Sequence, residues 1–242
     1  MLPLLVGIVH ASGQFALVPS HARSSALGGC HVPDTAMRRI GAGYRQGYAM
    51  AEMATRTMDV VWMLGDRGRV EAEYAHFGDR IYHEQQVVAG YSMWVTDWLS
   101  TGLRGRYLRM ATGNAHYLPQ QWLAAEVSMQ AIVGDRLMLY AEGGSRPWDK
   151  EKPWMARIGM AYKAVEGLTT LVELDSDECM RLRAGTEYCY REHYFVRMGM
   201  ATHPIIITFG LGMRRGIYGI DLAVESHEYL GVTPQISISL WP

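Results

Sequence analysis

From about Arg39 to the C-terminus the chain alternates apolar and polar residues, with turn signals roughly every 10 to 15 residues. A period of two is the signature of a β-strand with two unlike faces. Between Trp154 and Lys163 one face carries Trp154, Ala156, Ile158, Met160 and Tyr162, and the other Arg157, Gly159, Ala161 and Lys163. Residues 180–190 set Met180, Leu182, Ala184, Thr186, Tyr188 and Tyr190 against Arg181, Arg183, Gly185 and Glu187. The final strand sets Ile236, Ile238 and Leu240 against Gln235, Ser237 and Ser239. Extended along the chain, this pattern predicts about fourteen strands: 40–50, 57–64, 69–77, 85–96, 100–111, 121–133, 136–144, 154–164, 168–175, 179–190, 193–202, 205–214, 217–226 and 233–241. The expected fold class is all-β, and an even strand number lets an antiparallel up-and-down sheet close on itself.

Composition narrows the function classes. Hydrophobic residues make up 49% of the 242, yet no run approaches the ~20 apolar residues that a spanning helix needs, so helical membrane spans are excluded. With 23 basic against 24 acidic residues, the chain has no charge bias of the kind a nucleic-acid partner leaves. Cys30, Cys179 and Cys189 are an odd number and do not suggest a disulfide framework.

Alternation alone does not say which face meets solvent, and a soluble β-sandwich binding module remains open on that ground. Three features favour a transmembrane barrel. The charged face mixes glycine and alanine with arginine and glutamate, which suits a crowded lumen. Aromatics fall towards strand ends, where they would form membrane-interface girdles: Trp62, Trp94, Trp98 and Trp154, with Tyr162, Tyr188, Tyr218 and Trp241. Connections also alternate, with tight turns such as Gly65-Asp66-Arg67-Gly68 and Gly134-Asp135 after even strands and most longer links after odd ones. If the short side is periplasmic, the C-terminal strand ends in the periplasm.

The inward positions carry both signs of charge. The candidates for lumen ion pairs are Glu71, Glu73, Arg104, Arg106, Glu126 and Arg157, followed by Arg181, Arg183, Glu187, Arg197, Asp221 and Glu225. Unpaired charges in a narrow interior are costly, so these should pair across strands and fill the barrel rather than line an open pore. Ser92, Ser100 and Ser128 lie in no recognisable nucleophile motif, and no enzyme is expected. His76, His83, His116, His203 and His227 fall near one set of strand ends without fixed ligand spacing; neither metal nor cofactor is expected.

Ahead of the barrel, Leu2 to Val9 followed by His10-Ala11-Ser12-Gly13 reads as a possible signal peptide or remnant over 1–13. Residues 14–38 then form a short N-terminal plug or periplasmic segment, and 39–242 the barrel. The stretch Pro19-Ser20-His21-Ala22-Arg23-Ser24-Ser25-Ala26-Leu27-Gly28-Gly29-Cys30-His31-Val32 resembles the opening of the PorV/PorQ group of Bacteroidota outer-membrane proteins, relatives of the FadL transporters. The series Arg183 to Tyr188, Arg197 to Met200, Ile207 to Met213 and Gly231 to Leu240 is similar to the ending of that group. The resemblance implies a fourteen-stranded barrel in a Gram-negative outer membrane, in contact with lipid and lipopolysaccharide. Asp34 to Arg39 leads straight into the first strand, so the plug is reduced relative to that group.

The expected function is a non-catalytic barrel subunit of a large outer-membrane assembly, either type IX secretion or BAM barrel-assembly machinery. Its partners would be a larger barrel and associated lipoproteins. The alternative is a FadL-like channel for hydrophobic small molecules, which would need an apolar pocket behind a gap in the wall.

Overall fold

The computed structural model describes residues 21–32, 38–113, 118–176 and 179–242. The expected cleavage region 1–13, residues 14–20 and 33–37 of the expected plug segment, and His116 lie outside these residues. Fourteen strands follow a one-and-a-half-turn helix, α1 (Ala22–Ala26): β1 (Arg38–Gln46), β2 (Ala54–Leu64), β3 (Gly68–Gly78), β4 (Tyr82–Trp94), β5 (Leu99–Thr112), β6 (Gln120–Val133) and β7 (Leu137–Ser145). The second half comprises β8 (Trp154–Val165), β9 (Leu168–Asp175), β10 (Arg181–Tyr190), β11 (Tyr194–Ala201), β12 (Ile206–Arg215), β13 (Tyr218–His227) and β14 (Gly231–Leu240). Each pairs antiparallel with its chain neighbours, and β1 pairs with β14 from Ile40↔Leu240 to Arg45↔Gln235, which closes the barrel.

The alternation has the expected outcome along the strands, interrupted by a register shift between Lys163 and Val165 where β8 meets β9. Side chains on one parity are buried in the lumen: Arg197, Glu173, Asp175, Thr208 and Thr233 are among the largest fully buried ones. Those on the other parity are apolar and point outward, for example Met58 (66% exposed), Leu123 (77%) and Trp154 (71%). A water-soluble barrel or sandwich has the reverse arrangement, because exposing a large aliphatic side chain to water forgoes about 1.5–3 kcal/mol. The chain is therefore a closed barrel with a lipid-compatible outer surface, and the soluble β-sandwich alternative is corrected.

One end of the barrel carries the tight links 65–67, 95–98, 134–136, 166–167, 191–193 and 216–217. Gly65, Gly134, Gly167 and Gly216 take positive φ in these turns, and Arg191 and Glu192 take it together, at 49° and 62°. Paired positive φ values are what a tight hairpin turn between right-twisted strands demands. The other end carries longer links such as 47–53, 113–119 and 146–153, although 79–81 and 228–230 are shorter than the sequence suggested because their strands run further. The start of β1 and the end of β14 both lie at the short-turn end.

Candidate functional site in the barrel lumen

Among the described residues the segment inside the lumen is 21–32, and its path follows from small residues and hydroxyls. The backbone N–H of Ala22 donates to Ser237 Oγ on β14 at 3.2 Å. On β12, Thr208 Oγ1 accepts from the Gly28 N–H at 3.0 Å and donates to the Ala26 carbonyl at 2.8 Å. Ser25 hydrogen-bonds Gln235 of β14 through their side chains. Further on, Arg183 of β10 donates to the Gly29 carbonyl at 2.9 Å, and the His31 N–H donates to Glu173 of β9 at 2.7 Å. The segment thus lies along the inner wall from β14 to β9.

Glycines on both sides make this contact possible. Gly28 has φ +73, and a Cβ on it would run into the Met200 and Ala184 carbonyl oxygens. Opposite it, a Cβ on Gly185, Gly199 or Gly210 would collide with Leu27, Gly28 or Ala26 respectively. Leu27 and Cys30 pack with Leu171 of β9 in a small buried apolar cluster. Burial, reinforced by the Glu173 carboxylate, pushes the Cys30 thiol up to about 12.

The charged side chains form two connected groups. In the first, Arg23 grips Glu187 with two hydrogen bonds of 2.9 and 2.7 Å, and Arg197 reaches Glu187 and Asp221 at 2.6 Å each. In the second, Arg104 bonds Glu71 and approaches Glu142 at 3.4 Å, and Arg157 lies 3.3 Å from both Glu142 and Glu173. Arg183 extends this row to Asp175 at 2.6 Å. Arg106–Glu126 at 2.5 Å and Arg45–Glu225 at 2.8 Å complete the pairing. Glu173 is fully buried and also accepts from Tyr140 Oη at 2.8 Å. His31 sits beside Glu142 at 3.6 Å, but burial holds its imidazole below the ordinary value.

Ten of the twelve charged residues expected in the lumen are in this pairing, and two are not. Among the described residues Glu73 has no ion-pair partner; it faces the remaining cavity instead. Arg181 lies at the rim, where its Nε donates to the His203 carbonyl at 3.2 Å in the link 202–205. Lys163, also read as inward, is exposed near the turn 166–167. Residues that pattern reading omitted are equally central: Asp59, held by Arg39 at 2.8 Å and by His21 at 2.8 Å, together with Arg45, Glu142 and Tyr140.

The expected interface aromatics divide. Trp62, Trp98, Trp154, Tyr162, Tyr188 and Tyr218 are exposed. All but Trp154 lie at the short-turn end, as do the exposed Tyr91, Tyr190 and Tyr194, so this end has a dense aromatic girdle. Trp94 and Trp241 are corrections: both share the parity of lumen residues and line the cavity, with Arg214 stacked 4.4 Å over the Trp241 ring.

The barrel is not completely filled. A cavity of about 630 Å³ runs from the 21–32 segment to the short-turn end. Its inner wall includes His21, Tyr140 and Arg157, and its outer part Arg67, Trp94 and Trp241. Ser92, Ser100 and Ser128 also line it, together with charged side chains of both signs. Apolar side chains such as Val61, Met63, Val88, Trp94 and Trp241 share the lining with these polar and charged groups in comparable measure.

No protein-family model and no curated protein matches the chain. Among solved structures, the Acinetobacter baumannii outer membrane protein Omp33 superposes with a TM-score of 0.63 at 7% identity, covering 86% of this chain and 98% of that one. The Pseudomonas putida toluene transporter TodX gives 0.62 at 12% identity, covering 94% and 92%. A Pseudomonas aeruginosa FadL homologue gives 0.62 at 10% identity, covering 84% and 90%. At such identities the likeness is one of fold, and that fold is the outer-membrane β-barrel.

Proposed function

We propose that the protein is a non-catalytic outer-membrane barrel that works as a subunit of a larger outer-membrane assembly, with its short turns and the end of β14 in the periplasm. The observation that supports this most is the attachment of residues 21–32 to the inner wall. Clearing the segment would require the Arg23–Glu187 pair, the Thr208 hydrogen bonds and the glycine contacts on β10 to β12 to be lost together. A barrel whose lumen is held this way serves better as a scaffold than as a conduit. The resemblance of the Pro19–Val32 stretch to PorV and PorQ favours type IX secretion or barrel-assembly machinery of a Bacteroidota-like cell, with a larger barrel and lipoproteins as partners.

A FadL-like channel for hydrophobic molecules is the second reading, favoured by the fold shared with TodX and the FadL homologue. Against it stand the charges of both signs in the cavity lining and the closed ring of paired strands around the wall. The two separate on gentle detergent extraction through a tag, followed by mass spectrometry. Co-purification with a much larger barrel and periplasmic lipoproteins is the expected result. Recovery of the chain alone, with fatty acid or hydrocarbon bound, would overturn the subunit reading in favour of the channel.

A further inference from the structure

Most of the outward face is apolar, but near the long-link end of β2 to β6 a polar row interrupts it. Arg56, His76, Gln85, Arg109 and Gln121 are direct cross-strand partners in sequence, one on each of five adjacent strands. One step nearer the short turns, on the same face, the register gives Met58, Tyr74, Val87, Tyr107 and Leu123, again as direct partners. The outer surface therefore changes from greasy to basic between two neighbouring rows. His83 stacks on His76 with ring centroids 5.8 Å apart and planes 8° from parallel, and Arg109 Nη1 donates to Gln85 Oε1 at 3.3 Å.

Among the described residues none of Arg56, Arg109, His76 and His83 forms an ion pair with a carboxylate. Asp79, in the adjoining link, is occupied by the backbone N–H groups of Ile81 and Tyr82 at 2.8 and 3.1 Å. Cations on the lipid-facing wall of a barrel are tolerated near the interface and penalised towards the midplane. Here they sit at the edge of the apolar band, where the anions available are head-group phosphates. Arginine offers a phosphate several N–H donors in a planar fork. Arg56 and Arg109 are three strand spacings apart, about 14 Å, with His76 and Gln85 between them as further hydrogen-bonding groups.

We infer that this row is a binding site for the phosphorylated head of an outer-leaflet glycolipid of the lipid A type, with acyl chains lying over Met58, Tyr74, Val87 and Leu123. The inference rests on the orientation proposed above, which puts the long-link end outside. It does not depend on the identity of any protein partner. Other stretches of outer wall near the long-link end present Trp154, Leu182 and Ile207 instead, so the site belongs to one side of the barrel.

The test is native mass spectrometry of the full chain in detergent, titrated with lipid A, dephosphorylated lipid A and phosphatidylglycerol. One lipid A per barrel is expected, with at least about tenfold weaker retention of the dephosphorylated form, as the loss of one or two charge-assisted hydrogen bonds implies. R56Q/R109Q should lose the same factor while R215Q, at a short turn, retains it. Heat-modifiable gel mobility checks that all variants remain folded. Equal retention of dephosphorylated lipid A, or of lipid A by R56Q/R109Q, would overturn the site. Preferential retention of phosphatidylglycerol would overturn the assignment to an outer-leaflet glycolipid. Labelling a cysteine placed in the 146–153 link on intact cells reports the orientation separately, so failure of that premise is distinguishable from failure of the site.

Discussion

Arg197 on β11 and Asp221 on β13 are joined by a 2.6 Å ion pair across the intervening strand β12. The residue between them on β12 is Gly212, and a Cβ there would meet both the Asp221 carboxylate and the Arg197 guanidinium. The glycine therefore lets a charge reach its partner two strands away. Arg197 is 1% exposed, and removing one member of a buried pair costs about 3–5 kcal/mol. R197M should lower the unfolding free energy of the detergent-refolded barrel by an amount of that order, read as a lower urea midpoint, and G212V should do similar damage while keeping both charges. R197M/D221L should recover part of the loss, because the double variant strands one charge fewer. Additive losses would show that the two residues act independently.

A second expectation concerns the seating of residues 21–32. Cys30 is fully buried, and its thiol is raised from 9.0 to about 12, so it should resist alkylation at pH 9 in the folded barrel. The sign follows from the thiolate being the nucleophile: a raised value keeps the reactive form scarce across the window from 9.0 to about 12. G185V or G199V should lift the segment off β10 and β11, increasing Cys30 alkylation by about an order of magnitude through local opening. Mass spectrometry of the modified Cys30 peptide distinguishes it from the half-buried Cys179 and Cys189. Unchanged labelling in both variants would show that the segment does not depend on this glycine track.

The fold was almost fully legible because each strand of an outer-membrane barrel carries its own period-two record of inside and outside. The same record already contained the correction for two tryptophans. Trp94 follows Val88, Gly90 and Ser92, and Trp241 follows Ser237 and Ser239, all lumen positions, so parity places both rings inside even though they stand near strand ends. Asp59 was harder, because β2 mixes its faces, with Arg56 outward and Val61 inward. The contacts of His21 and Arg23 could not be read at all. They lie in a segment without strand periodicity, and their partners on β2 and β10 are brought near only by closure of the barrel.

Tryptophan fluorescence checks that reassignment directly. In vesicles of brominated lipid, variants that retain only Trp62 or only Trp154 should be strongly quenched, since both rings project outward at 38% and 71% exposure. Variants that retain only Trp94 or only Trp241 should keep most of their emission and respond instead to aqueous quenchers reaching the cavity. Strong lipid quenching of either would return it to the interface girdle.

Acid should loosen the same segment through His31. Its ring is enclosed by Glu142, Tyr140, Arg104, Arg157 and Glu173, and burial outweighs the attraction of Glu142, holding the imidazole below its ordinary value of 6.5. A histidine with a depressed value takes up its proton more readily once released, so seating is fully stable above pH 6.5 and weakens as pH falls below it. Acid should therefore increase the exposure of Cys30, read as modification by a disulfide reagent whose leaving group remains active at low pH. H31F keeps an aromatic ring against Tyr140 without a titrating group, and it should flatten the profile between pH 6.5 and 4.5. A profile unchanged in H31F would overturn the assignment of the acid response to His31.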